Sequence, residues 1–202
     1  MPMKKITVII ACLLLASIFF SANFFVMLNA LSFDNEQANN VLAYVLGKEP
    51  LAEGFSQKEV SHLADVKDLL SSLSTIFYVS LAIFALSVVY LYMSGRLMES
   101  LKKVLFSSSF IAILISVLLF LASKDFAPFF SNFHVLFFPE GSWVFSPGSS
   151  LVELFPVEFF RDFFRRLVLG VFSQALAIVL VILSDAKIFS YSKRSEKLKR
   201  KS

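Results

Sequence analysis

His62 and His134 are the only histidines in the 202-residue chain, and each stands where imidazole chemistry has supporting groups. His62 lies in SQKEVSHLADVKDLL, with Glu59 three residues before it and Asp65 three after. His134 lies in FFSNFHVLFFPEGSWVFSPGSSLVELFPVEFF, Phe129 to Phe160, a stretch holding nine phenylalanines and the single tryptophan, Trp143. A neutral imidazole with an ordinary pKa of about 6.5 takes up and returns protons at physiological pH. Two of them among carboxylates and apolar rings suit proton transfer in a water-poor pocket. The same groups suit a metal-dependent lipid-directed hydrolase or transferase, with His62, His134 and Asp65 or Glu59 on zinc and a position open to water. A third reading is a non-enzymatic lipid-binding membrane protein whose histidines only satisfy hydrogen bonds.

Other chemistries lack their residues. There is no GxSxG elbow, no glycine-rich phosphate loop and no HExxH. Ser61, Ser146, Ser149 and Ser150 are available as hydroxyls, but no local pattern singles one out. The only cysteine, Cys12, sits inside an apolar run, so there is no disulfide framework and no CxxC pair. The IIAC sequence around it looks like a lipoprotein processing site only superficially. Too few apolar residues precede it for a signal peptide, and the apolar run continues past it.

The elements that must position the histidines follow from composition. With 57% hydrophobic residues, 17% charged residues and a mean hydropathy of +0.75, the chain reads as an all-α membrane protein in one membrane domain. Four apolar stretches are long enough, or nearly so, to span a bilayer: 6–31, 73–93, 104–122 and 167–183. The stretch 129–160 is broken by Pro139, Gly141, Pro147, Gly148 and Pro156 and is expected to lie on the membrane as an aromatic-rich cap. The N-terminus, the loop 94–103 and the tail 184–202 hold 12 of the 19 Lys and Arg, against three acidic residues. By the positive-inside rule the termini are expected to be cytoplasmic and the segments 32–72 and 123–166 extracytoplasmic. The basic face needs no nucleic-acid partner, because anionic lipid and topology account for such a tail.

Each histidine belongs to one of the two outer segments. The first should hold a helix over 35–46, ending at Gly47, and a second beginning with the capping box of Ser56 and Glu59. On that second helix, at roughly 100° per residue, Val66, Leu69, Leu70 and Leu73 fall within about 80° of His62. Glu59 and Asp65 flank it, and Lys67 falls on the far side. No Pro or Gly interrupts 56–93, so the helix can run directly into the second span. In the other segment, PVEFFRDFFRR predicts an interfacial amphipathic helix. There Glu158/Arg161, Asp162/Arg165 and Asp162/Arg166 are spaced for intrahelical ion pairs, and Arg161 and Arg165 are alternatively free to hold a phosphate or carbonyl at the membrane surface.

Four motifs together resemble the bacterial lipoprotein intramolecular transacylases (Lit) and the wider four-helix membrane family around them. They are ExxHxxDVK (Glu59, His62, Asp65, Val66, Lys67), the pair Phe133-His134, Trp143 with Pro147, and LFPxxFF from Leu154 to Phe160. The resemblance runs from the first span to the fourth. It departs from the characterised transacylases around Gly141-Ser142-Trp143 and Ser146, where those proteins carry a pattern more like Asp-Leu-Trp-x-x-Asp-Pro. That difference bears on substrate more than on fold. The resemblance implies four helices under an extracytoplasmic cap with two essential histidines, mapping onto His62 and His134. It implies an intramolecular O-to-N acyl shift on a diacylglyceryl-modified lipoprotein, with membrane lipids and a lipidated protein N-terminus as partners and no cofactor or resident metal. Glu59, Asp65, Lys67, Phe133 and Trp143 are the expected supporting residues, with Asp65 the candidate to orient His62.

Overall fold

Helix breaks in this chain fall where the backbone chemistry demands them. In the computed structural model the backbone is described for residues 2–95 and 97–199, and side chains for 5–95 and 97–185. Arg96 and the side chains of the basic tail expected over 184–202, from 186 onward, therefore lie outside the described residues. The helices are α1 Pro2–Asn29, α2 Glu36–Val45, α3 Gln57–Met93, α4 Leu97–Ala122, α5 Phe126–Phe137, α6 Ser150–Leu154 and α7 Val157–Lys199. α1 begins with a proline, which is tolerated at a first helical position, and α7 begins directly after Pro156. α2 is capped by Asn35, whose side chain accepts from the Ala38 N–H, and it ends on Gly47 in the left-handed region at φ 70°. Gly95, at φ 72°, stops α3 in the same way.

α1, α3, α4 and α7 are each long and apolar enough to cross a membrane. The protein is a multi-pass, all-helical membrane protein. Large apolar side chains such as Leu86, Leu118 and Val181 lie more than half exposed, an arrangement suited to lipid and costly in water. The helices exceed the spans expected from hydropathy. Hydropathy marks only the part that meets hydrocarbon, whereas backbone hydrogen bonding continues through polar residues until a cap or breaker ends it. α3 is the clearest case: its 37 residues make a rod of about 55 Å, against about 30 Å of bilayer core. Its first turns, with Glu59 and His62, therefore stand outside the expected span at 73–93. α7 likewise runs unbroken through both the expected interfacial helix and the last span.

The described chain packs as two compact units. One draws on Met1–Phe20, Ser80–Val117 and Leu169–Ser202. Its α4 buries Ser108, Ala112 and Ser116 completely or nearly so, at a spacing of four that lets a neighbouring helix approach closely, as small residues do in lipid. The other draws on Ser21–Val79 and Leu118–Val168 and contains both histidines. Its core joins Val41 and Val45 of α2, Leu63 of α3 and Leu151 of α6, with Tyr44, Phe55, Phe145 and Phe155 packed around them.

Candidate active site

Glu59 sets the base of the site. The expected capping box forms: the Ser56 N–H and hydroxyl both donate to Glu59 Oε2, at 2.8 and 2.7 Å, and the Glu59 N–H returns to Ser56 Oγ. The other carboxylate oxygen, Oε1, accepts the Leu151 N–H at 2.9 Å, tying the start of α3 to α6 across 92 residues of sequence. Burial alone would raise the carboxyl pKa. The bonds from the Leu151 N–H, the Ser56 hydroxyl, the Ser56 N–H and the Ser150 N–H outweigh it and hold Glu59 below the usual carboxylate range. Glu59→Gln is expected to destabilise the protein by about 1–3 kcal/mol, because an amide cannot accept at both positions. A depressed carboxyl stabilises the fold at neutral pH, and that contribution is lost as pH falls through the folded-state value. Thermal unfolding in detergent at neutral and acidic pH measures both effects, and a variant that melts with the wild type at every pH would remove Glu59 from this role.

One turn on from Glu59, His62 is buried at 8% exposure, as is His134 on α5. Their ring centroids lie 6.0 Å apart at an interplanar angle of 31°. Phe138 and Phe145 meet His62 edge-on at 4.9 and 5.5 Å, and Trp143 lies 4.9 Å from His134. Phe130 and Phe133 complete the wall around His134, at 4.2 and 5.6 Å. His134 Nδ1 is 2.8 Å from the Phe130 carbonyl, one helical turn back. A carbonyl only accepts, so Nδ1 carries the proton and Nε2 keeps its lone pair.

The two rings differ electrostatically. Burial first, and then the nearness of His134, push the His62 pKa down to about 4. Burial also lowers His134, but its bond to the Phe130 carbonyl favours the charged ring and opposes the shift. His62 has no such acceptor, for its Nδ1 is buried without a hydrogen-bond partner. Both rings are thus held neutral at pH 7, and His134 is the one equipped to carry a transient charge.

The loop over the site is tied in place. Phe138 ends α5 by donating its N–H to the His134 carbonyl, and Pro139 stops the helix. The Ser142 N–H and hydroxyl return to the Pro139 carbonyl in a tight turn that places Gly141 at φ 74°, where a glycine is favoured. Lys58 Nζ donates to the Val144 carbonyl and lies 5.4 Å from the Phe145 ring centre.

The remaining expected residues are placed less centrally. Asp65 is half-buried and makes no hydrogen bond to His62. Lys67 points to α2, its ammonium 4.6 Å from the Tyr44 ring centre. Phe133 packs against Phe137 at a tilt of 45° and 4.8 Å as well as meeting His134. None of the three expected ion pairs along α7 forms. Arg161 Nε lies 3.7 Å from Asp162, near enough for charge attraction but too long for a hydrogen bond, and Arg165 and Arg166 are exposed without an ion pair among the described residues. No group of three His, Cys, Asp or Glu side chains suited to a metal occurs among the described residues. Sequence reasoning missed Lys58, Phe138, Phe145 and Leu151. Phe130 was within reach of it, being four residues before His134 on a helix.

Four spanning helices and a buried imidazole pair walled by aromatic rings define a helical membrane protein with a candidate site on one of its packed units. Comparison with known proteins makes the assignment more specific. The family model described as lipoprotein intramolecular transacylase Lit matches residues 7–160, and the chain belongs to that family. The fold is similar to the in meso structure of the membrane integral lipoprotein intramolecular transacylase Lit from Bacillus cereus, with a TM-score of 0.72 at 18% identity, covering 96% of this chain and 98% of that one. A structure of the same Bacillus cereus protein with one histidine changed to arginine gives 0.70 at 17% identity, covering 94% and 95%. An uncharacterized protein of Aquifex aeolicus is 29% identical over 108 residues, which is 54% of this chain and about half, 47%, of that protein.

Proposed function

We propose that the chain catalyses intramolecular O-to-N acyl transfer on a diacylglyceryl-modified lipoprotein, moving an acyl chain from the glyceryl ester to the amino group of the N-terminal cysteine. The observation that carries this reading is the approach of two buried, neutral imidazoles to 6.0 Å inside an aromatic wall, in a chain of the Lit family. The nucleophile belongs to the substrate, so the pocket needs to supply only proton transfer, charge stabilisation and proximity. The free amine attacks the ester carbonyl, and a C–N bond forms as the carbonyl oxygen takes the negative charge. His134 Nε2 takes a proton from the attacking nitrogen, and the Phe130 carbonyl stabilises the resulting imidazolium. The C–O bond to glycerol then breaks and His134 returns the proton to the departing oxygen, leaving an amide and an alcohol. His62 stays neutral. With Nδ1 buried and bare, its proton sits on Nε2, from which it donates to the substrate oxygen. The aromatic wall keeps water from the ester.

The basic termini and the loop 94–103 support a cytoplasmic placement of both ends, with the site on the extracytoplasmic side, where lipidated protein N-termini occur. The exposed, unpaired Arg165, with Arg161 one turn before it, supports a contact to lipid headgroup or carbonyl oxygens at the membrane surface. Mass spectrometry of lipoprotein N-termini from cells with and without the protein tests the proposal. The expected result is an N-acylated, O-deacylated form only when the protein is present, and identical N-termini in both would reject it.

A further inference from the structure

An indole N–H is a donor and nothing else. Trp143 Nε1 is buried and has no acceptor among the described residues, although its ring sits directly against His134, at 4.9 Å and 36°. Native interiors rarely leave a donor in this state, and each exception asks for a reason. Relaxation of the loop does not supply one. The residue before Trp143 is held by both Ser142 bonds to the Pro139 carbonyl, and the residue after it by Lys58 on the Val144 carbonyl. Packing does not supply one either. The chain has 25 phenylalanines and one tryptophan, and phenylalanine lines the rest of this pocket, so a ring wanted only for its faces had an apolar solution at hand. The one ring in this wall carrying a buried donor stands beside the histidine whose charged form is stabilised by a backbone carbonyl.

The geometry points to Trp143 Nε1–H as a fixed hydrogen-bond donor to the acyl carbonyl oxygen of the bound ester, and to the oxyanion which that oxygen becomes. The assignment rests on the acyl-transfer reading of the pocket and adds to it a catalytic contact from the loop 139–149. The indole transfers no proton. It donates one hydrogen bond throughout, which strengthens as charge develops on the oxygen, so its effect falls on the chemical step.

Trp143→Phe removes the N–H and keeps a six-membered aromatic ring against His134. With a synthetic diacylglyceryl-cysteine peptide in detergent, the variant is expected to lose roughly 10²- to 10³-fold in kcat with little change in KM. Its thermal midpoint is expected to stay level or rise, since an unsatisfied buried donor has been removed. A merely structural tryptophan would instead lower the midpoint together with activity, and that result overturns the inference. So does a variant with wild-type kcat. A second readout uses the wild type's only indole. The same peptide with an acetylated N-terminus cannot accept the acyl chain, and its binding is expected to move the indole N–H proton resonance downfield. A resonance unchanged on saturation also overturns the assignment. If the wild type transfers no acyl group to the free-amine peptide, the acyl-transfer reading fails and this inference fails with it. If the wild type transfers and Trp143→Phe matches it, only the inference fails.

Discussion

His134→Ala is expected to lower acyl transfer by roughly 10²- to 10⁴-fold, the cost of removing a positioned general acid–base group. The expectation turns on one hydrogen bond. The Phe130 carbonyl, 2.8 Å from Nδ1, fixes the tautomer that leaves Nε2 free, and in the proposed reaction it would stabilise the imidazolium formed when Nε2 takes the substrate proton. Neither service is open to His62, whose Nδ1 has no partner. Conversion of a diacylglyceryl lipopeptide, followed by mass spectrometry on protein shown by thermal melting to be folded, measures the effect. His134→Gln serves as a companion that fills more of the space without supplying a base. Wild-type rates in either variant would take the base role away from His134.

The pH profile follows from the same electrostatics. Burial holds both rings neutral, and a site that needs a neutral base and a neutral donor keeps its activity until one of them protonates. For rings with lowered pKa values, the enzymic acid limb is expected below about 6.5, the ordinary imidazole value. Stability has the same sign. The unfolded chain takes up a proton on His62 near 6.5, while the folded chain refuses it down to about 4. The contribution is therefore fully present above that window and falls as pH drops through it.

His62→Ala is the second large effect, expected at roughly 10²- to 10³-fold, the scale for loss of one donor to a developing oxyanion. Two features distinguish it from the His134 variant. The acid limb due to His134 should persist in its residual activity, whereas His134→Ala should lose that limb. The deletion also opens space between Phe138 and Phe145, which flank the ring at 4.9 and 5.5 Å. Water entering there competes with the substrate amine, so free fatty acid from ester hydrolysis should rise relative to amide product. Both products are read in one mass-spectrometric assay. A His62→Ala protein with the wild-type rate and no added hydrolysis would show that the second imidazole only packs.

Much of this was legible along the chain. The four spans announce themselves by hydropathy, because lipid selects apolar residues over a fixed thickness. Asn35, Gly47, Ser56 and Glu59 announce helix ends, because capping is settled within a turn. The two histidines and Trp143 stand out by rarity and setting. What local sequence also suggested, and the fold decided differently, concerns side chains with more than one neighbour in reach. Asp65 lies three residues from His62 yet does not bond it, and Glu158 and Asp162 are spaced for arginines that do not pair with them in the expected way. Intrahelical spacing makes such contacts available, but partners on other elements and rotamer freedom choose among them.

A four-span helical membrane protein with two rare imidazoles on separate segments can be read along the chain alone, since periodicity, hydropathy and capping act over a few turns. That those imidazoles share one buried pocket, and that Glu59 joins α3 to α6 through the Leu151 N–H, came from the packing of the whole chain. Both contacts join residues more than 70 positions apart, and no local pattern encodes which distant surfaces will meet once water and lipid have been excluded between them.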